Sequence, residues 1–318
     1  RNAVGLSTCC PPWMRPTATF APVTVTSPLA VDPFDHETVY YGCQKVLKTS
    51  DAGKSWSEAS PDLSTQNPAH IVPSGGIVGD NLGQFYGSLV FAIAPSEIQR
   101  NLIWAGTNDG QLWVTRDGGG KWTNVSKNMP GLPPLGTVRK IEPSHFDPGT
   151  AYAAIDLHMM DDRTPYLYKT TDFGATWTRI SGGLPNKGPL GYVMSVAENP
   201  NKKGMLFAGT GNAFHYSMDD GLTWTQFQDG LPASPVSWIV VAKQAHDVVV
   251  STYGRGIYVL RDITTLEQKA NVAADAAVHL FAPHPAYREP RGGSAWAHVP
   301  LPANANPRRS FHATCALP

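Results

Sequence analysis

"SMDDGLTWTQF", residues 217–227, decides the fold, because the chain writes it four times. Nearly the same letters stand at "TSDAGKSWSEA" (49–59), "TRDGGGKWTNV" (115–125) and "TTDFGATWTRI" (170–180). Aligned, they share Ser/Thr-x-Asp-x-Gly-x-(Ser/Thr/Lys)-Trp, with Asp51 and Trp56, Asp117 and Trp122, Asp172 and Trp177, and Asp219 and Trp224 at the key positions. A pattern fixed at five positions and repeated in this way marks one supersecondary unit used again and again.

The repeat reaches beyond the turn. Upstream of it lie two apolar runs divided by a short polar loop, as in "NLIWAGTNDGQLWVTRD" (101–117) and "GMLFAGTGNAFHYSMDD" (204–220). Before those comes a further run ending in a polar turn, such as "VRKIEPSHFDPG" (138–149) or "VMSVAENPNKKG" (193–204). A short strand follows each Trp, so a unit holds four strands with turn residues between them. A fifth unit, "SWIVVAKQAHDVVVSTYGRGIYVLRD" (237–262), carries three strands and lacks the Asp turn. Units of about 40–50 residues with four strands each predict an all-β propeller. No 3.6-residue apolar period is sustained, and Gly and Pro interrupt every segment, which argues against helices.

The sequence thus divides into an irregular segment 1–26, propeller blades over 27–265, and an Ala/Pro-rich segment 266–318 in which "AVHLFAP" reads as a strand. About five blades are visible, which allows an incomplete ring.

Composition agrees. The 30 Gly and 28 Pro suit many tight turns, and 9 Trp, 11 Tyr and 11 Phe suit short aromatic strands. Lys+Arg and Asp+Glu balance at 25 each, which gives no electrostatic reason to expect nucleic acid or an anionic membrane surface as partner. No apolar run is long enough to span a bilayer as a helix, for which about 18 residues are needed. Cys9, Cys10, Cys43 and Cys315 show no zinc spacing; a staple from Cys9 or Cys10 to Cys315 requires the two termini to meet. No cofactor is expected.

The turn has a physical account. An Asp carboxylate accepts hydrogen bonds from backbone N–H groups of its own turn, helped by the Ser/Thr hydroxyl two residues earlier. Gly supplies a backbone angle costly for other residues. Trp buries its ring between blades. Such positions read as structural, since a catalytic group is needed once and not four times.

These octets resemble the Asp-box, or BNR repeat, of sialidases, xyloglucan-cleaving propeller hydrolases and sortilin (Vps10-type) propellers. The segments that carry the resemblance are "VYYGCQKVLKTSDAGKSWSEASPDLS", "AYAAIDLHMMDDRTPYLYKTTDFGATW" and "STYGRGIYVLRDITTLEQ", and the text looks most like bacterial secreted proteins described as sortilin-like or glycosyl-hydrolase-like. The resemblance implies an extracellular or periplasmic location, and more blades than the five seen here. Missing blades then come from a longer parent chain, or the arc completes itself by self-association.

In such a blade the repeated turn lies at one end, while loops joining strands two and three, and successive blades, emerge at the other. Ligands gather at that second end. Two of its loops are long, 61–88 and 156–166, and long irregular loops in compact folds tend to carry function. In "DLHMMDDRTPY", Asp156, Asp161 and Asp162 are candidate catalytic carboxylates for glycoside hydrolysis, which needs an acid and a base. His158 and Arg163 are candidate ligand contacts. The same cluster also reads as structural calcium ligands, or as a solvated loop with Arg163 as a surface partner. In the first loop His70, Asp80 and Tyr86 are candidates; in "TYGRG", Tyr253 and Arg255, the latter able to grip a carboxylate bidentately.

A sialidase needs three convergent Arg residues, and Arg116 and Arg179 are expected at the wrong end. No Gly-x-Ser-x-Gly, HExxH or P-loop appears. Two readings remain: a secreted propeller that binds a glycan or peptide at its loop-rich end, and a glycoside hydrolase, or part of one, using a carboxylate pair there.

Overall fold

The computed structural model describes residues 27–67, 89–186, 188–228, 230–269 and 278–283. It is an all-β propeller whose blades follow the sequence units. Blade 1 is β1 (Leu29–Asp32), β2 (Asp35–Gly42), β3 (Val46–Thr49) and β4 (Ser57–Glu58). Blade 2 is β5 (Val90–Pro95), β6 (Ile103–Thr107), β7 (Leu112–Thr115) and β8 (Trp122–Asn124). Blade 3 is β9 (Thr137–Pro143), β10 (Ala151–Asp156), β11 (Tyr166–Thr170) and β12 (Thr178–Arg179). Blade 4 is β13 (Val193–Glu198), β14 (Leu206–Thr210), β15 (Phe214–Ser217) and β16 (Thr225–Gln226). Blade 5 has β17 (Val236–Ala242), β18 (Asp247–Thr252) and β19 (Gly256–Leu260), followed by a short helix α1 (Thr264–Gln268).

Every sheet is an antiparallel meander in chain order. The first strands, β1, β5, β9, β13 and β17, all line an axial cavity of about 680 Å³. The repeated turn joins the third and fourth strands of blades 1–4, as its sequence required.

Four apolar cores lie at the four blade-to-blade contacts. Tyr40, Val46 and Leu63 meet Val90, Ile103 and Ala105 between blades 1 and 2. Trp104, Leu112 and Val125 meet Val138, Ala153 and Trp177 between blades 2 and 3. Tyr152, Leu167 and Ile180 meet Val193, Val196 and Trp224 next, and Phe207 and Phe214 meet Val236, Ile239 and Val250 last. A middle blade is covered on both faces, which is why all six residues of β10 and all six of β13 are buried. Alternation then stops being visible, because both strand faces are apolar.

Small residues set the blade spacing. A Cβ on Gly106 would lie 2.3 Å from Val138 Cγ1, and one on Gly209 would lie 2.5 Å from the Val236 carbonyl. Glycine in mid-strand weakens a sheet unless another chain segment needs that space, as it does here.

The strand expected for "AVHLFAP" is reduced to an isolated bridge at Leu280. The Gln268 side-chain amide takes both the N–H and the C=O of Ala282, at 2.9 Å each, so a neighbouring strand has no access to them.

Candidate functional site

At the repeated-turn end all four copies share two hydrogen bonds to the Asp Oδ1 and one from the Gly amide to the leading hydroxyl, and three copies add one to Oδ2. Asp51 Oδ1 accepts from Thr49 Oγ1 (2.7 Å) and Ser55 N (2.8 Å), and Oδ2 accepts from Ser55 Oγ (2.6 Å). Asp172 and Asp219 repeat this with Thr170 and Thr176, and with Ser217 and Thr223. Asp117 keeps Thr115 Oγ1 and Lys121 N. The hydroxyl at the start of each turn also accepts from the Gly amide, at 2.9–3.0 Å. Donors aimed at the ionised form hold these carboxyls low; the Ser55 hydroxyl and amide, with Thr49, bring Asp51 to about 2. Each carboxylate serves its own turn.

The other end is built differently. Asp156 closes β10 opposite Thr137 of β9, and is 5% exposed. Both its oxygens lie 2.7 Å from His158 Nδ1, Oδ1 also accepts from the His158 amide (2.9 Å), and Arg139 Nε stands 3.9 Å from Oδ2. The His158 ring stacks on Tyr192, from the connection between blades 3 and 4, with centroids 4.5 Å apart and planes at 18°. Burial raises the Tyr192 phenol, and the Asp156 charge adds to this. Residues 158–160 form a single 3-10 turn, left by Asp161 in the left-handed region at φ 62°.

The three candidate carboxylates therefore have three fates. Asp156 is buried beneath His158. The Asp161 side chain is 94% exposed and pairs with Arg163 Nη2 at 3.4 Å. Asp162 turns inward, accepting from Thr164 N (2.9 Å) and Tyr166 OH (2.7 Å), and its carboxyl stays low although burial opposes this.

Tyr253 and Arg255 occupy the hairpin between β18 and β19, at the same end on blade 5, with Tyr253 77% exposed. His70, Asp80 and Tyr86 lie outside the described residues. Arg116 stays at the turn end, 4.0 Å over the Phe173 ring. Arg179 corrects expectation: its guanidinium donates to Pro165 O (2.7 Å) and covers Tyr166 (4.7 Å), at the loop end. A fourth strand of two residues puts Arg179 far enough along for its long side chain to cross.

A charged chain at the floor of the axial cavity escaped sequence reading. His145 Nδ1 lies 3.1 Å from Glu97 and Nε2 3.5 Å from Glu142, while Lys140 Nζ is 3.4 Å from Glu142 and donates to Ile239 O at 2.8 Å. Burial alone would lower His145, but Glu142 and Glu97 overcome it and lift the imidazolium to about 10. Glu198, raised by burial, accepts from the His145 amide (2.8 Å) and from Tyr152 OH (3.2 Å). The members come from blades 2, 3, 4 and 5, so the only sequence trace is the Glu142/His145 spacing in "EPSH".

Among the described residues no cluster of three or more His, Cys, Asp or Glu side chains is arranged to hold a metal ion. No helix among them is long and apolar enough to cross a membrane.

No family model matches the chain. It is similar to a xyloglucanase of Hypocrea jecorina, 25% identical over 236 residues that cover 68% of this chain and 27% of that protein. A xyloglucanase of a Paenibacillus species is 24% identical over 263 residues, 76% of this chain and 24% of that protein. The chain thus spans about a quarter of the length of the curated relatives it matches. Among solved structures, the GH74 xyloglucanase from Xanthomonas campestris superposes with a TM-score of 0.54 at 19% identity, covering 74% of this chain and 36% of that one. An ancestral GH74 enzyme gives 0.51 at 16%, covering 73% and 30%. These likenesses support the propeller fold.

Proposed function

We propose that these blades are part of an extracellular or periplasmic Asp-box propeller that binds a glycan of the xyloglucan type at its loop-rich end. The observation that carries the reading is the match to two xyloglucanases over 68% and 76% of the chain. Sugar rings stack their C–H faces on aromatic planes, and this end offers the His158–Tyr192 stack and the exposed Tyr253. Arg163 and Arg255 supply donors for hydroxyl groups, and Asp161 an acceptor.

Binding is preferred to hydrolysis because of how the carboxylates are used. A glycosidase needs two carboxyl groups about 5–9.5 Å apart that are open to substrate. Asp156 is held by His158 and Arg139, and Asp162 by Thr164 and Tyr166, which leaves Asp161 as the open one of the three. The second reading, part of a glycoside hydrolase, draws on the relatives' names, with Asp161 joined by a carboxylate from elsewhere in a longer protein.

A glycan array that includes xyloglucan oligosaccharides, run beside a chromogenic β-glycoside panel, tests this. Binding without turnover is expected, weakened about tenfold by His158→Ala or Tyr253→Ala, the worth of one good contact. Turnover lost in Asp161→Asn or Asp162→Asn would put the hydrolase reading in its place. Affinity for peptides alone would remove the glycan reading.

A further inference from the structure

The first strands of blades 2–5 break register at one equivalent place. In blade 2 Val90 pairs with Thr107 and Ala92 with Gly106, so Phe91 is the extra residue of a β-bulge. The same slip sets off Arg139 after Val138 in blade 3, Met194 after Val193 in blade 4, and Ser237 after Val236 in blade 5. A bulge at this point re-aims one side chain while the strand keeps its pairing on either side. The valine before it is buried in all four blades, at 2% exposure or less. The bulged residue is by turns aromatic, cationic, thioether and hydroxyl, and all four line the axial cavity toward its loop end. A backbone device used four times with four different side chains points to what those side chains meet rather than to the fold.

Arg139 carries the charge of this ring. Its guanidinium stands 5.5 Å from the Phe91 ring centroid, across the boundary between blades 2 and 3. Its carboxylate neighbour, Asp156, is 3.9 Å from Nε, beyond hydrogen-bond reach, and both Asp156 oxygens are already held by His158. With Nε turned to Asp156, the two Nη groups are left without an acceptor among the described residues. The other cations of the cavity are committed. Lys140 serves Glu142 and the Ile239 carbonyl, and His145 serves Glu97 and Glu142. Those acids belong to the floor, since Glu142 lies three residues, about 10 Å, farther along β9. Glu198 accepts from the His145 amide and from Tyr152 OH.

We propose that the bulge ring is a binding site for a small monocarboxylate with an apolar or C–H-rich body. Arg139 takes the carboxylate through its Nη groups, and Phe91 and Met194 pack against the body. A guanidinium fork matches the two oxygens of a carboxylate, which a lone hydroxyl does not offer. A volume of about 680 Å³ suits a small molecule rather than a folded partner. A neutral glycan would leave the Arg139 charge unanswered, so the site is separate from the glycan reading at His158 and Tyr253 and does not depend on it.

Isothermal titration of the 318-residue chain with benzoate and with glucuronate, beside neutral benzamide and glucose, tests this. At least one acid is expected to bind about tenfold or more tightly than its neutral counterpart. Benzoate as the tighter of the two assigns the site to aryl or alkyl acids, and glucuronate to acidic sugars. Arg139→Gln is expected to remove the preference for the acid, and Arg139→Lys to keep part of it. Arg116→Gln, which deletes a positive charge at the turn end, should leave it unchanged. Melting temperatures within about 2 °C of the parent verify that the variants fold. Phe91→Ala keeps the charge and should still weaken the favoured acid about threefold or more, which carries the test if Arg139→Gln does not fold. Acid binding that survives both Arg139→Gln and Phe91→Ala, neutral compounds that bind as tightly as the acids, or no binding of either acid at about 10 mM overturns the proposal.

Discussion

The two ends of the blades treat their carboxylates in opposite ways. At the turn end Asp51, Asp117, Asp172 and Asp219 sit in four copies of one arrangement, each bound by donors from its own turn. At the loop end Asp156, Asp161 and Asp162 lie within seven residues of one another in sequence, and no two are alike. One is clamped by a histidine, one is open to solvent, and one caps its own loop. Repetition reports what the fold needs everywhere; irregularity is where a single ligand can be served.

The largest expected effect separates a covered turn from an uncovered one. Trp224→Ala should cost about 3–5 kcal/mol in urea denaturation, because it empties a space between blades and strands the Ile180 carbonyl. Trp56→Ala should cost less than half as much, since that ring has no preceding blade to lose. Equal losses would break the distinction drawn between blade 1 and its neighbours.

Asp172→Ala ranks next. It removes hydrogen bonds from Thr170 and Thr176, worth about 1–2 kcal/mol once solvent screening is allowed for. Glycan binding should survive. The Thr176 hydroxyl and amide hold this carboxyl below its ordinary value, so its contribution is fully present above about pH 4 and fades as pH falls through the folded-state value. The gap between parent and variant should therefore narrow as urea midpoints are taken from pH 7 down toward pH 2. A gap that widens in acid contradicts the account.

Asp161→Asn should do least to the fold, within about 0.5 kcal/mol, since an exposed pair with Arg163 contributes little. A larger thermal shift would mean that the loop end, too, uses its carboxylates for structure.

Legibility followed the same division. The repeated turn, its place between third and fourth strands and the three-strand fifth unit are local facts, carried by side chains within five residues of each other. Candidate residues at the loop end could be named but not arranged: nothing in "DLHMMDDRTPY" says that Asp156 points inward beneath His158 while Asp161 points out. Arg179 was assigned to the wrong end because strand length, not sequence distance, fixes its reach. Of the Glu97–His145–Glu142 chain only the Glu142/His145 spacing is local, since 48 residues separate Glu97 from His145.

The sequence by itself determined the blade, because turn chemistry and strand alternation act over a few residues and repeat with them. Only the tertiary structure decided which surfaces meet. Whether Trp56 finds a carbonyl, whether Tyr192 covers His158, and whether the Trp238 face is covered depend on neighbours brought in from distant parts of the chain, and packing of that kind leaves no local signature.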